Sequence, residues 1–260
     1  MFGKMSQDKW GANMPVHAPR SPQYPTFQKV LMVTVYYETD DTALEILPDC
    51  CELPKNPLTV VWLCEYSGPR YYTEFMQAVA VKINGKPHMF IPHMYVGPGD
   101  NPLLGNDLTG MPKKISHIEV HIANEQCYGW LERPPGIRLC TVQFAQTEPA
   151  APPEVMDKYI WGTFATLKVV PSPNYFLDHT YEVAEVVAQK GAFNHIIHDF
   201  MGKPAIFPGK GSITFNTLSE MDPLYKIPVK KYLAAFMYYE DFITGDKGAD
   251  IVYRYPVVSK

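Results

Sequence analysis

The amino-acid sequence predicts a β-dominated fold, a barrel or a sandwich, with few helices. Its apolar runs are short and rich in β-branched and aromatic residues, and the 260 residues include 17 Tyr and 13 Phe, which are residue types that favour strands. The 25 prolines are about twice the usual share and disfavour long helices. Asn84-Gly85 lies between two apolar runs, which is the strongest short-range signal for a β-hairpin.

The N-terminal region differs in composition from the rest of the chain. Residues 1–28 contain four prolines and few apolar positions, so we expect an arm that becomes ordered only by docking onto another surface. The Pro-rich joint at 148–154 is too short to mark a domain boundary, and the chain has no internal repeat. The sequence therefore predicts an arm over 1–28 and a single domain over 29–260.

Ten apolar runs are predicted to be strands, and some alternate with period two, as at 115–123. An acidic stretch after the first run is long enough for one or two helical turns. Gly-Lys-Gly at 209–211 is predicted to be a turn, and the ambiguous periodicity of 227–243 predicts a partly helical segment. The ten runs are 30–37, 58–66, 77–83, 86–96, 115–123, 128–132, 137–144, 163–170, 181–188 and 249–258.

Charge and motif content exclude several classes of function. The formal net charge is −4 and the 23 Lys and Arg residues are scattered, so no basic surface is available for nucleic acid. No run approaches 18 apolar residues and no secretory leader is recognisable, so we expect a cytoplasmic protein without a membrane span. The five cysteines form no C-x-x-C motif and are expected to be free thiols. Nucleotide-binding and serine-hydrolase motifs are absent from the sequence.

The segment GMPKKISH (110–117) places two adjacent lysines between a loop and an apolar strand. A lysine amine attacks a carbonyl carbon only when it is neutral, so a catalytic lysine needs its pKa lowered from about 10.4 by about 3–4 units. Burial in an apolar cavity or a second cation can supply that shift. By themselves, paired lysines at the start of a strand are more typical of a solvated edge that blocks strand addition.

Three short motifs stand in register along the chain: Tyr-Thr-Glu at 72–74, Met94-Tyr95 and Pro-Lys-Lys at 112–114. In this register they resemble the acetoacetate decarboxylase family, and weaker likeness continues through 167–173, 227–236 and 250–256. The resemblance implies an α+β, β-dominated domain whose antiparallel sheet is barrel-like and is accompanied by a few helices. It also implies an enzyme without a cofactor, acting on a small-molecule carbonyl substrate, and a homo-oligomer in which the proline-rich arm is a natural subunit contact.

The same resemblance implies roles for individual residues. Lys113 would form a Schiff base with a β-keto acid, and the protonated imine would accept the electrons left when carbon dioxide departs. Lys114 and apolar walls would tune Lys113, and Glu74 would move protons or orient the substrate. The candidates for substrate binding are Tyr72, Tyr253, Met94, Met111 and Leu63.

The adjacent lysines are expected to differ in orientation. If residues 113 and 114 are extended, their side chains point to opposite faces of the strand. The ammonium group of Lys114 then cannot easily lie beside the amine of Lys113. We therefore expect desolvation to be the larger cause that keeps the catalytic amine neutral.

The chain departs from the family pattern at three positions. Family decarboxylases carry an arginine at the start of the first long strand and a glutamate on the next, whereas this chain has Val30, or Lys29 if the register slips by one, and Leu63. Met111 stands where an aromatic residue is common. Loss of the arginine removes a bidentate anchor for a small keto acid. The departures therefore favour a larger or less charged carbonyl compound as the substrate.

Alternative functions remain open on the sequence alone. The same lysine imine would serve aldol, dehydration or cyclisation chemistry on a larger, polyketide-like carbonyl compound. A barrel that binds a small molecule without catalysis would also tolerate the lost arginine. A metal site is the other alternative, although we expect no metal because HIEVH is predicted to face solvent. The candidate ligands are His117, Glu119 and His121, and a second cluster of His195, His198 and Asp199.

Overall fold

Strands form within each of the ten apolar runs that predict them, and strands make up most of the described residues. The structure is a computed structural model that describes residues 26–67, 71–98, 104–189, 196–243 and 248–256. Most of the predicted arm lies outside the described residues. Residues 26–28 belong to the first strand, which therefore begins four residues before the predicted run at 30–37.

The described residues contain fourteen strands and only short helices. The strands are β1 (Thr26–Glu38), β2 (Leu58–Tyr66), β3 (Tyr72–Ile83), β4 (Lys86–Val96), β5 (Lys113–Ile115), β6 (His117–Ala123), β7 (Gln126–Glu132), β8 (Arg138–Gln146), β9 (Thr163–Pro171), β10 (Tyr181–Gln189), β11 (Ile196–His198), β12 (Phe207–Phe215), β13 (Lys231–Ile243) and β14 (Ala249–Arg254). The helices are α1 (Leu104–Thr109) and α2 (Tyr175–Asp178), with 3-10 turns at Asp41–Glu45, Pro153–Tyr159 and Leu224–Lys226. None of these helices is long and apolar enough to cross a bilayer.

All fourteen strands belong to one sheet, in the order β14-β10-β9-β4-β3-β2-β1-β13-β12-β8-β7-β6, with β11 beside β13 and β5 beside β4. The β-dominated α+β fold is confirmed. The sheet is mixed rather than purely antiparallel, because β4 pairs in parallel with β5 and β9. The end of the sheet that carries β6 curls back towards β3, because the Thr73 hydroxyl of β3 donates to the carbonyl of Ile118 in β6 at 3.2 Å.

The central strands are buried on both faces. In β1, Leu31 and Val33 enter one apolar cluster, while Val30 and Met32 enter another on the opposite face. The first cluster includes Leu31, Val33, Tyr37, Leu63, Phe75, Tyr95 and Leu131. The second cluster includes Val30, Met32, Tyr36, Cys64, Tyr66, Tyr72, Met76 and Met94. Full burial of one such side chain is worth about 1.5–3 kcal/mol, so a one-residue slip of register would be costly.

The hairpin predicted at Asn84-Gly85 is confirmed. The two residues join β3 to β4 with φ angles of 50° and 76°, the left-handed pair that a two-residue type I′ turn requires. Register then runs from Ile83 opposite Lys86 along the ladder to Glu74 opposite Val96, with one irregularity in between. The turn therefore helps to fix which residues of β3 face those of β4.

Two sequence predictions are wrong. The segment 227–243 was predicted to be partly helical, but its residues 231–243 form the strand β13, which pairs with β1 along its length. Because both faces of β13 are buried, its apolar run is continuous and hides the period of two that marks a strand. Gly-Lys-Gly at 209–211 lies within β12 and is not a turn. A Cβ atom on Gly209 would approach the carbonyl oxygen of Ala145 to 2.1 Å, so glycine permits close strand packing there.

Candidate active site

The Pro-Lys-Lys motif brings Lys113 to the face of the sheet that carries the second cluster. Lys113 begins β5, which pairs in parallel with β4 so that Lys113 lies opposite Met94. Its backbone is fixed on both sides: its N–H donates to the carbonyl of Met111 at 2.8 Å, and its carbonyl accepts from Asn106 at 3.0 Å. The side chain is 10% exposed. The strand therefore delivers an amine into a nearly closed environment.

Lys113 meets Glu74 on β3. Nζ of Lys113 lies 2.9 Å from Oε2 of Glu74, whose side chain is 1% exposed. Oε2 has no hydrogen-bond donor in the described part of the chain, so its contact with Lys113 is an ion pair rather than a well-directed hydrogen bond. The other oxygen, Oε1, accepts from the hydroxyl of Tyr66 at 3.1 Å. Glu74 is thus oriented by one side chain and faces the amine with the other oxygen.

Aromatic rings shield this ion pair. Tyr66 and Tyr72 stack with centroids 4.1 Å apart, and the ring of Phe27 packs edge-on against Tyr66 at 4.9 Å. The Tyr72 centroid lies 5.8 Å from Nζ of Lys113, a distance at which a ring face attracts a cation. Burial, and then the charge of Glu74, raise the pKa of Tyr66 well above its usual value. Tyr66 therefore remains a hydrogen-bond donor to Glu74.

Cys64 lies beside Glu74 on the neighbouring strand. The two residues are directly paired between β2 and β3, and Sγ of Cys64 donates to the Glu74 carbonyl at 3.6 Å. Burial, and then the charges of Glu74 and Glu240, raise the pKa of the Cys64 thiol well above its usual value. A neutral thiol consequently stands next to the carboxylate.

Lys114 points to the opposite face of the sheet, as an extended pair of residues predicts. Nζ of Lys114 lies 2.8 Å from Oδ1 of Asp222, which is 2% exposed, and donates to the carbonyl of Met221 at 2.7 Å. Oδ2 of Asp222 accepts from Arg133 at 2.8 Å. The hydroxyl of Tyr95, the residue opposite Lys114 in the ladder, donates to Oδ1 at 3.1 Å. Lys114 is therefore paired with a carboxylate away from Lys113.

The charges around Asp222 act on its neighbours. Burial raises the pKa of Asp222, but Lys114 and Arg133 outweigh burial and hold that pKa below its usual value. Burial, and then the positive charge of Lys114, lower the pKa of His93 to about 4. At neutral pH, Asp222 is therefore a carboxylate and His93 is a neutral imidazole.

The structure brings some of the predicted site residues together and separates others. Met94 and Met111 pack with the second cluster, as Tyr72 does, on the face that carries Glu74. Leu63 is fully buried in the first cluster, on the opposite face, because Leu63 pairs with Phe75 rather than with Glu74. Cys64, one position further along β2, lies on the second-cluster face instead and pairs with Glu74.

Tyr253 lies apart from Lys113. It is partly buried on β14 and packs with a third cluster, which includes Cys51, Val81, Phe90 and Ala165. An open surface depression of about 440 Å³ on that side is lined by residues 251–254 and Asn84. The described contacts of Tyr253 therefore do not connect it with the Lys113–Glu74 pair.

At the position where the family resemblance implies an arginine, Val30 faces the second cluster and is fully buried. Lys29, the alternative for a slipped register, is exposed, with φ of 50°. Across the β1–β13 ladder from Val30 lies Glu240, which is 4% exposed. Sequence reasoning missed this buried carboxylate, although a single glutamate inside the apolar run of β13 is a recognisable signal.

The predicted metal ligands do not form a ligand set in the described residues. No group of three or more His, Cys, Asp or Glu side chains there is arranged to hold a metal ion. Glu119 on β6 instead contacts both neighbouring histidines, His117 at 3.0 Å and His121 at 3.7 Å, on a partly exposed face. In the second candidate cluster, His198 pairs with Asp241 at 3.1 Å, and His195 lies outside the described residues.

The fold and the site together define a β-dominated protein with a shielded lysine–carboxylate pair at the start of a short strand. The family model described as acetoacetate decarboxylase matches residues 13–255. The chain therefore belongs to the acetoacetate decarboxylase family. Membership supports an enzyme, of the decarboxylase type or with a related activity.

Individual relatives extend over most of the chain at low identity. Decarboxylase DEC1 of Cochliobolus heterostrophus is 23% identical over 245 residues, covering 90% of this chain and 91% of that protein. A solved structure described as acetoacetate decarboxylase covers 96% of this chain and 99% of its own, with TM-score 0.79 and 22% identity. The enduracididine biosynthesis enzyme MppR, complexed with pyruvate, covers 93% of this chain and 96% of its own, with TM-score 0.67 and 16% identity. These structures show a shared fold.

Proposed function

We propose that this protein is a cofactor-free Schiff-base enzyme that decarboxylates a β-keto acid, with Lys113 as the nucleophile. The observation that carries the proposal is the pair formed by Lys113 and Glu74, with Nζ and Oε2 2.9 Å apart and both side chains shielded. A lysine near the surface has no need of such a partner, and burial of a charged pair costs free energy unless its members are well matched. Buried, strongly interacting titratable groups cluster at functional sites, so catalysis gives a reason for burying both Lys113 and Glu74.

Glu74 first takes a proton from the Lys113 ammonium group, leaving a neutral amine. The amine attacks the β-carbonyl carbon of the substrate to give a carbinolamine. Protonation of its hydroxyl group, with Glu74 as the acid, releases one water molecule and leaves a protonated imine. Because Tyr66 holds the other oxygen of Glu74, the proton carrier stays in line with the nitrogen through these transfers.

Carbon dioxide then leaves as the bond between the α-carbon and the carboxylate breaks. The electron pair of that bond moves to the imine nitrogen, which becomes the nitrogen of a neutral enamine. A proton from solvent adds to the α-carbon and restores the protonated imine. Water then hydrolyses this imine to a ketone and the ammonium form of Lys113. The ring of Tyr72, 5.8 Å from Nζ, stabilises the cationic imine that precedes loss of carbon dioxide and the one that forms again when the α-carbon is protonated.

A second candidate activity is aldol, dehydration or cyclisation chemistry on a larger carbonyl compound through the same imine. Apolar Val30 favours it, because Val30 lies on the site face at the position where the family resemblance implies a guanidinium. The likeness in fold to MppR, complexed with pyruvate, also supports a family member with another carbonyl substrate. Gas release separates the two activities, because only decarboxylation liberates carbon dioxide.

The test compares the parent protein with Lys113→Gln on a panel of β-keto acids and polyketide-like ketones, with gas release and product mass both recorded. Decarboxylation predicts carbon dioxide and a ketone from the parent and neither from the variant. A changed product mass without gas would favour the second activity. Absence of any product with every compound, from protein that remains folded, would contradict both.

Assembly and location belong to the same proposal. We propose a cytoplasmic homo-oligomer in which the proline-rich arm predicted over residues 1–28 contacts a neighbouring subunit. Light scattering on the full chain and on a chain lacking residues 1–25 tests the contact. The full chain is expected to have a mass of several subunits and the shortened chain a smaller one, whereas equal masses would contradict a role for the arm.

A further inference from the structure

Asp222 joins several elements on the face opposite the Lys113–Glu74 pair. It precedes the 3-10 turn Leu224–Lys226 and is 2% exposed. Its Oδ1 accepts from Lys114 on β5 and from Tyr95 on β4, and its Oδ2 accepts from Arg133 after β7. Both carboxylate oxygens are therefore bound by donors from other elements.

The strand that carries Lys113 has few other attachments. β5 is three residues long, which is shorter than a typical strand. Among the described strands, β5 pairs only with β4. The side chain of Lys114 adds two hydrogen bonds that attach β5 to the rest of the protein, one to the carboxylate of Asp222 and one to the carbonyl of Met221. The position of β5 therefore depends on Lys114 as well as on the ladder.

A shift at Lys114 reaches Lys113 directly, because the two residues are consecutive. In the ladder, Tyr95 lies opposite Lys114 while Met94 lies opposite Lys113. Rotation or sliding of β5 that separates Lys114 from Asp222 also moves Nζ of Lys113 relative to Glu74. Displacement of a reacting group by about 1 Å can cost about 100-fold in rate.

We propose that Asp222 is a positioning residue for Lys113: it holds Lys114 from the far face and thereby fixes β5 where Lys113 reaches Glu74. The inference rests on the proposed imine chemistry of Lys113. Lys114 then acts through its bond to Asp222 and not as a positive charge near the amine. Asp222→Asn tests this distinction, because it breaks the charged bonds while Lys114 keeps its charge.

The experiment uses the full chain and pentane-2,4-dione as the probe. One carbonyl of this diketone condenses with an amine, releases one water molecule and gives a conjugated enaminone, whose absorbance reports the rate. The rate is measured for the parent, Asp222→Asn, Lys114→Met and the double variant, at a temperature where urea unfolding shows each to be folded. Tyr37→Phe is the matched control, because the Tyr37 hydroxyl donates to Ile227, at the end of the turn that follows Asp222, and its other partner is Gln77.

Asp222→Asn and Lys114→Met are each expected to slow enaminone formation by about 10- to 100-fold. The double variant should be no slower than the slower single variant, because both changes break one connection. Tyr37→Phe should lower stability and leave the rate within about twofold. Should Asp222→Asn not fold, Arg133→Met replaces it, with an expected loss of about tenfold, since Asp222 then loses its second cation.

Each result bears on a different claim. A parent that forms no enaminone overturns the proposed function, and with it a role for Asp222 in imine formation. A parent that reacts, with an Asp222→Asn variant within twofold of its rate, overturns the positioning role alone. Rate losses that multiply in the double variant would also overturn it, because Lys114 and Asp222 would then act independently.

Discussion

Lys113 and Lys114 are consecutive in sequence, yet their ammonium groups lie on opposite faces of the sheet. Lys113 pairs with Glu74 at 2.9 Å and Lys114 with Asp222 at 2.8 Å. The alternation of an extended strand produces this separation. Substitutions at the two lysines are therefore expected to have different effects. Only Lys113 contacts Glu74, the proposed proton carrier.

Glu74→Gln keeps the shape of the side chain but removes the group that accepts the proton from Lys113. We expect kcat for the best substrate to fall by about 100- to 10,000-fold, the range for loss of a general acid–base group. Glu119→Gln, a change on the partly exposed face of β6, is the control and should leave kcat within twofold. Steady-state kinetics on both variants checks this. A Glu74→Gln variant with parental kcat would remove Glu74 from the mechanism.

Tyr66→Phe removes the hydroxyl that orients Glu74 while keeping the ring stacked on Tyr72. The Glu74 oxygen then loses its donor, so we expect a cost of about 1–3 kcal/mol in the free energy of unfolding and a fall of about tenfold in kcat. Tyr36→Phe serves as the control, because Tyr36 is buried in the same cluster but stacks on Tyr159 instead. Urea unfolding and steady-state kinetics on the two variants measure the changes in stability and in kcat. Equal kcat in both variants would show that orientation by Tyr66 is unimportant.

Met94→Ala and Leu63→Ala test which face of the sheet meets the substrate. Both residues are buried, so each change should cost about 2–5 kcal/mol in stability. Only Met94 lies beside Lys113 on the second-cluster face, so only Met94→Ala should raise KM by about tenfold. Kinetics on the folded fraction of each protein gives the comparison. A larger KM change in Leu63→Ala would place the substrate on the other face.

Asp222 predicts an acid limb in the stability of the protein. Because Lys114 and Arg133 hold its pKa below the usual value in the folded chain, the unfolded chain binds more protons than the folded chain at acidic pH. Stability from this group is present above the unfolded pKa of about 3.9 and is lost as pH falls through the lower folded pKa.

Urea unfolding at a series of pH values measures this limb. Between about pH 5 and pH 3, the free energy of unfolding should fall more steeply for the parent than for Asp222→Asn, which lacks the titrating carboxyl group. Equal slopes for the two proteins would show that the network around Asp222 contributes no pH-dependent stability.

Much of this arrangement follows from local sequence signals. Asn84-Gly85 predicted the hairpin and its strands because only a few residues tolerate the left-handed turn, and extended backbone at 113–114 predicted opposite faces for the lysines. Leu63 was predicted to contact the substrate but lies on the face away from Lys113, since an apolar run buried on both faces does not reveal which residue faces which side. Asp222 was missed because its partners, Tyr95, Lys114 and Arg133, are distant in sequence, and no short sequence window contains those contacts.

The most direct test of the account is the site at which the protein forms an imine. The full chain is incubated with each β-keto acid and ketone of the substrate panel, reduced with borohydride, and digested for peptide mass analysis. The account predicts one reduced adduct, on Lys113, that disappears in Lys113→Gln while Lys114 remains unmodified. An adduct on Lys114, or an adduct of equal yield in Lys113→Gln, would contradict the claim that Lys113 is the nucleophile.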